Sequence, residues 1–241
     1  MDSNNTKSRV ILDDVAAYTV GLFPTLNLLE QRLSLELYRL LCEGQPVPRA
    51  RLAQRLGIAG DTVNQILDGW PGVFSDQQRR IVGYWGLAIP AAYASSHRMT
   101  IGDQSLSAWC AWDTLFLPQL LGQTAEIEST APAGVTIRLT VTPERLVHVN
   151  PAGAQMSFLL PDATEVQKDV MSTFCDFVHF FPSAEVGQSW AARHPGTFLL
   201  SIDEAHDIAR RKNYAQYQEA LRGTPQVGYP RLESVRKDSS D

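Results

Sequence analysis

Leucines at 26, 29, 33, 37, 40 and 41 recur at steps of three and four, which places them along one side of a helix. The helical pattern covers 14–42 and is interrupted by Gly44, Pro46 and Pro48. Two shorter helical runs follow at 49–56 and 61–67, with Gly57-Ile58-Ala59-Gly60 between them and Asp61 placed to cap the second. Residues 72–74 and 81–84 read as a pair of short strands. Past a loose connection at 89–96, a strand is expected at 97–101. A helix is expected over 107–118, starting from Ser107 as N-cap and stopping at Pro118.

The second half changes period. Residues 125–129 and 135–141 alternate apolar and polar positions around an Ala-Pro-Ala-Gly turn at 131–134. Further strands are expected at 146–149 and 155–160, separated by Asn150-Pro151-Ala152-Gly153. The pattern then predicts a helical start over 163–174, a strand-like aromatic run at 176–181, a short helix at 190–194, a strand at 198–202 and a terminal helix at 203–221. These elements define an α+β fold. A winged-helix-like helical domain at 14–88 precedes a core of antiparallel strands with flanking helices at 96–221. The polar stretch 1–13 and the aperiodic stretch 222–241, which contains Pro225, Gly228 and Pro230, are expected to be a disordered N-terminus and a flexible tail.

Composition narrows the possibilities. With 44% hydrophobic and 20% charged residues, the chain has the balance of an ordinary globular protein. A formal charge of −5 argues against general affinity for nucleic acid or anionic membranes. No apolar run approaches the roughly 18 residues of a membrane span, and the first residues lack the apolar centre of a secretory signal. Three widely spaced cysteines do not form a disulfide framework, which fits a reduced, cytoplasmic protein. The helix-turn-helix pattern raises DNA binding. However, the segment that would enter the groove carries Asn64 and Gln65 but no Arg or Lys, and Asp61, Asp68 and Asp76 lie on or near it. Arg49, Arg51 and Arg55 precede the turn. A scaffold role is the better expectation.

Chemistry concentrates in Ser-Ala-Trp-Cys-Ala-Trp-Asp-Thr (107–114). In a helix capped by Ser107, Cys110 would sit in the first turn, where free N–H groups and the helix dipole favour a thiolate. Asp113, three residues on, would share its face and could accept its proton. Trp109 and Trp112 bracket the cysteine and could exclude water. Cys175 lies between Phe174 and Asp176 in a largely apolar run, whereas Cys42 falls in the leucine-rich helix and reads as packing. A pair of thiolates suits a soft, thiophilic metal. Zinc would draw on Cys110, Cys175, Asp113 and His179, although no Cys-x-x-Cys pair is present. A cysteine hydrolase would need His179 or His206 as partner. His97, His148 and His194 read as surface or strand residues.

Ala-Trp-Cys-Ala-Trp-Asp-Thr-Leu (108–115), paired with Phe-Cys-Asp-Phe-Val-His-Phe-Phe (174–181), resembles the organomercurial (alkylmercury) lyases of bacterial mercury resistance. The resemblance continues through 117–125 and 149–153 and covers residues 20–210 in order and spacing. It implies an N-terminal winged-helix-like domain packed on a catalytic core. Within that core, Cys110, Asp113 and Cys175 would be catalytic and would also hold mercury as substrate and product, with Trp109 and Phe174 lining the pocket. It further implies an organomercurial substrate, no organic cofactor, and cellular thiols or a mercuric reductase as acceptors of Hg(II). The chain departs from the family pattern at Ser107, where many members have tyrosine, and at Asp176 and Phe177, where members often carry a cysteine and a histidine.

Overall fold

The computed structural model describes residues 3–221, with side chains from residue 12 onward. The tail expected at 222–241 lies outside the described residues. Helix α1 spans Ser3–Gly21, so regular backbone begins well before residue 14. No Pro or Gly falls between its ends to interrupt it. The single helix expected over 14–42 is instead two. Gly21 and Pro24 end the first, and Asn27 restarts the chain as α2 (Leu28–Leu41). Asn27 and Glu30 form a reciprocal capping box, each side chain accepting the other's backbone N–H at 3.1 and 2.8 Å. Of the leucine series, Leu26, Leu33, Leu37, Leu40 and Leu41 are buried, while Leu29 faces out.

Helices α3 (Arg49–Leu56) and α4 (Gly60–Gly69) follow, joined through Gly57 at φ +65°. Helix α4 starts one residue earlier than expected. Ala59 occupies the cap position and Asp61 lies in the first turn, where its charge complements the helix dipole. The arginines of α3 are paired within this region: Arg49 with Asp68 at 2.6 Å, Arg51 with Glu43 at 2.7 Å and Arg55 with Glu36 at 2.7 Å.

An eight-stranded antiparallel sheet carries the middle of the chain. Its strands are β1 (Val73–Ser75), β2 (Ile81–Tyr84), β3 (Leu87–Ala88), β4 (His97–Ile101), β5 (Gln104–Ala108), β6 (Ala125–Thr130), β7 (Thr136–Val141) and β8 (Leu146–Asn150), in the order β1-β2-β3-β5-β4-β6-β7-β8. Strand β3 pairs with β2 through Gly83↔Ala88 and with β5 through Leu87↔Ala108. The sheet therefore runs without a break from the first half of the molecule into the second. The alternation expected in β6 and β7 is present: Ala125, Ile127, Ser129, Ile137, Leu139 and Val141 are buried, and Glu126 and Glu128 are exposed. A second sheet, ordered β10-β9-β11, contains β9 (Gln155–Leu159), β10 (Phe180–Phe181) and β11 (Thr197–Ser201). The molecule is thus an α+β structure of helices and antiparallel sheet.

Two sequence expectations fail around the motif. Residues 104–108 form a strand rather than leading into a helix, because Ser107 is paired on both sides, with Ala88 and Arg98. The helix itself, α5, spans Asp113–Leu121 and passes through Pro118 to end at Gly122, φ +66°. All but one of its residues are buried, so tertiary packing outweighs the local cost of a proline.

Past β9 lie α6 (Ala163–Lys168), α7 (Val170–Thr173) and a single 3₁₀ turn at Cys175–Phe177, where a strand was expected to begin. The turn closes because Val178 N–H bonds back to Cys175 O at 3.2 Å, so strand pairing is delayed to Phe180 and Phe181. Helix α8 (Ala184–Ala191) starts earlier than expected, at the Ser183 cap. Helix α9 (Ile202–Tyr217) is capped by Ser201 and Glu204 and docks on the N-terminal helices. There Tyr217 OH and Ser34 Oγ lie 2.8 Å apart, and Arg211 pairs with Asp13 at 2.6 Å. No described helix is long and apolar enough to cross a membrane.

Candidate active site

Strand β5 ends at Ala108, and the next four residues turn sharply to deliver Cys110 before α5 begins at Asp113. The turn is pinned on both sides. Trp109 N–H donates to Gly86 O at 3.0 Å, and Ala111 N–H donates to Val178 O at 3.1 Å. The Asp113 carboxylate folds back over the turn, and its Oδ2 accepts the Cys110 N–H at 2.7 Å. Because Ala111 is bonded to Val178, the same turn is tied to the segment that carries Cys175. Cys175 Sγ, Cys110 Sγ and a carboxylate oxygen of Asp113 all lie within 4.8 Å of one another. Cys110 is 0% exposed, Cys175 4% and Asp113 6%.

Burial controls the protonation of this trio. It pushes the Cys110 thiol well above its ordinary value, and the Cys175 hydrogen bond and the Asp113 charge push in the same direction. The helix-terminus expectation for Cys110 is therefore reversed: it precedes the helix, and burial favours its thiol form. For Cys175 the hydrogen bond with Cys110 favours the thiolate, but burial and the charges of Asp113, Asp176 and Asp169 together raise it. Burial also lifts Asp113 to about 6, against the opposing pull of the Cys110 hydrogen bonds and the Lys212 charge. A carboxyl at that value exchanges protons near neutrality.

The aromatic residues divide the work. Trp112 packs edge-on against Phe116, Phe158 and Phe174, and its Nε1–H donates to Ala205 O at 3.0 Å. Phe174 also packs against Phe158 at 5.3 Å, which makes an apolar shelf next to Cys175. Trp109 is buried edge-on against Phe74 at 5.0 Å. His179 does not join the cluster. Its Nε2 lies 2.9 Å from Asp176 O and its ring lies between His97 and Trp190, so the four-ligand zinc set is not assembled. His97 is buried, with Nδ1 2.5 Å from Ser129 Oγ. Cys42 is buried away from the cluster, at the end of the leucine-rich helix.

Sequence reasoning missed residues beside the cluster, Lys212 and Tyr93 among them. Lys212 is 2% exposed on α9, with Nζ 3.9 Å from the centre of the Phe116 ring and 4.9 Å from that of Phe23. Burial lowers it to about 7, opposed by the attraction of Asp113. Its signal was its spacing: three and four residues after Ala209 and Ile208, it continues the buried stripe of α9. Tyr93 is half-buried in the loop before β4, and its phenol is raised to about 12 by burial and then by the charges of Cys175, Asp176, Asp113 and Cys110. It is the single aromatic residue in the loop at 90–96, a weak signal.

The model of the MerB family, alkylmercury lyase, matches residues 91–213, which includes all three members of the cluster. The chain belongs to the alkylmercury lyase family. It is 38% identical to an alkylmercury lyase of Staphylococcus epidermidis over 185 residues, 76% of this chain and 82% of that one. Identity to the alkylmercury lyase of Pseudomonas putida is 36% over 193 residues, 80% and 88% of the two chains. The solved mercury-bound form of MerB2 superposes with a TM-score of 0.65 at 23% identity, covering 83% of this chain and 98% of that one, a likeness of fold. Within this family the α+β frame described above is the setting for the buried Cys110, Asp113 and Cys175 trio.

Proposed function

We propose that this protein cleaves the carbon–mercury bond of organomercury compounds by protonolysis, with Cys110, Cys175 and Asp113 as the catalytic residues. The observation that carries the reading is the convergence of two thiols and one carboxyl within 4.8 Å in a buried site. Thiolates are the preferred ligands of soft metals, so mercury enters as substrate by exchange onto one cysteine, whose proton leaves with the displaced ligand. Asp113, as carboxylate, takes the proton of the second thiol, and that sulfur bonds to mercury. The added electron density weakens the carbon–mercury bond. Asp113 then gives its proton to carbon, and the bonding pair of the carbon–mercury bond becomes the new carbon–hydrogen bond. The hydrocarbon leaves, Hg(II) remains on Cys110 and Cys175, and Asp113 returns to its starting state.

The same reading assigns supporting roles. Phe174 and Trp109 wall the site beside the two cysteines, and the organic group of the substrate lies against them. Ligand exchange and protonation need no organic cofactor. Hg(II) passes to cellular thiols or to a mercuric reductase, in the cytoplasm. Residues 14–88 form a winged-helix-like unit that serves as scaffold rather than as a DNA reader. The pairing of Arg49, Arg51 and Arg55 with Asp68, Glu43 and Glu36 supports that view.

The test is benzene release from phenylmercury by the purified protein in excess thiol. Wild type turns over, Cys110→Ser and Cys175→Ser do not, and Asp113→Ala is slowed by about 100-fold or more, the range of a lost general acid. Tight mercury binding without benzene would replace the lyase with a non-catalytic carrier.

A further inference from the structure

Asp113 is braced from two sides. Its Oδ2 accepts the Cys110 N–H, and its Oδ1 faces the backbone of Gly86 in the two-residue turn between β2 and β3. A methyl group placed on Gly86 would lie 2.5 Å from Asp113 Oδ1, 2.6 Å from Cγ and 3.0 Å from Cβ. Only a residue without a side chain lets the main chain approach the carboxyl this closely. The turn is also conformationally demanding, with φ +28° at Trp85 and +92° at Gly86.

Three separate parts of the molecule hold the turn in place. Tyr38 OH, from α2, donates to Trp85 O at 2.9 Å. Trp85 N–H donates to Gly72 O at 3.1 Å, and Gly86 O accepts the Trp109 N–H at 3.0 Å. Tyr38 is fully buried, and the Trp85 ring packs on Phe23 with centres 5.5 Å apart. The turn is thus fixed both to the N-terminal helices and to the segment that carries Cys110.

We propose that Gly86 is a positioning residue for proton delivery: the Trp85-Gly86 turn is a rigid wall that keeps the Asp113 carboxyl aimed at the two thiols. This rests on the protonolysis reading of the site. A carboxyl confined between Gly86 and the Cys110 N–H has little room to rotate, so its proton stays on the side where mercury and the departing carbon lie. Displacing a reacting group by about 1 Å is enough to slow a reaction about 100-fold.

Benzene release from phenylmercury by the full-length protein tests the proposal, with protection of thiols by Hg²⁺ counted in parallel. Gly86→Ala is expected to lower kcat by about 100-fold while KM and the protection of two thiols stay at wild-type values. The Gly86→Ala, Asp113→Ala double variant is expected to be no slower than Asp113→Ala alone, since both changes disable the same group. Should Gly86→Ala fail to accumulate as folded protein, Tyr38→Phe decides. Losing its hydrogen bond to the turn is expected to lower kcat about five-fold. Unchanged kcat in the folded variants, or losses that add in the double variant, would overturn the role of Gly86. Absence of benzene from wild type would instead overturn the protonolysis reading.

Discussion

The Cys110 N–H and the Asp113 Oδ2 are 2.7 Å apart, which ties the proposed proton carrier to the backbone of the cysteine proposed to bind mercury. The bond favours the carboxylate, whereas burial favours the acid, and the balance holds Asp113 at about 6. To accept a thiol proton Asp113 must start ionised. Benzene release, measured as kcat/KM against pH, should therefore fall as pH drops through about 6. The residual rate of Asp113→Ala should lack that acidic limb.

Lys212 supplies a second check on the same group. Its folded-state value of about 7 lies below its ordinary 10.5, so the unfolded chain binds the extra proton between those values. Native stability should rise with pH between about 7 and 10, and lose that contribution as pH falls toward 7. Lys212→Met, which keeps the stem and removes the charge, should abolish the rise. At pH 7 it should stabilise the protein by about 2 kcal/mol, because a buried charge is replaced by apolar volume. The same variant removes the cation that favours the Asp113 carboxylate, so the acidic limb of activity should move to higher pH. Thermal unfolding and the activity profile of one variant measure both effects.

Cys42 separates thiol packing from thiol chemistry. It is buried at the end of α2, where desolvation and Glu43 raise its value. Cys42→Ala should leave benzene release unchanged and cost about 1 kcal/mol of stability. In wild type, one equivalent of Hg²⁺ should protect two thiols from a thiol reagent, and in Cys42→Ala it should protect every thiol present.

Trp112 connects the site to helix α9 through its bond to Ala205 O. Trp112→Phe keeps an aromatic ring against Phe116, Phe158 and Phe174 but removes the donor. The expected cost is about 1 kcal/mol, read as a lower urea midpoint. Since the adjoining turn carries Cys110, kcat should fall with the midpoint while the number of thiols protected by Hg²⁺ is unchanged.

Local patterns in the sequence carried the regular parts of this fold. The buried leucines of α2 and the alternation of β6 and β7 follow from periodicity, because each element has one face on the core. The motif was legible as chemistry but not as geometry. Ser107 has the composition of a helix cap, yet two-sided strand pairing claims its backbone. Cys175 meets Cys110 because Ala111 bonds to Val178, and Ser157 N–H bonds to His179 O at 2.9 Å, contacts between distant segments that no local pattern encodes. Gly86 and Lys212 were missed for a related reason. A glycine in a short turn and a lysine on a helix are ordinary until the structure sets them beside Asp113.

Strand β3 is only two residues long, yet it is hydrogen-bonded on both sides. A fragment that began at β4 would leave β5 as a bare edge, with unpaired N–H and C=O groups open to another chain. Such a fragment would tend to self-associate rather than act as a smaller protein. The two halves should therefore melt in one cooperative transition. Over evolutionary time the first half cannot be exchanged for an unrelated module without also rebuilding the strand that completes the sheet.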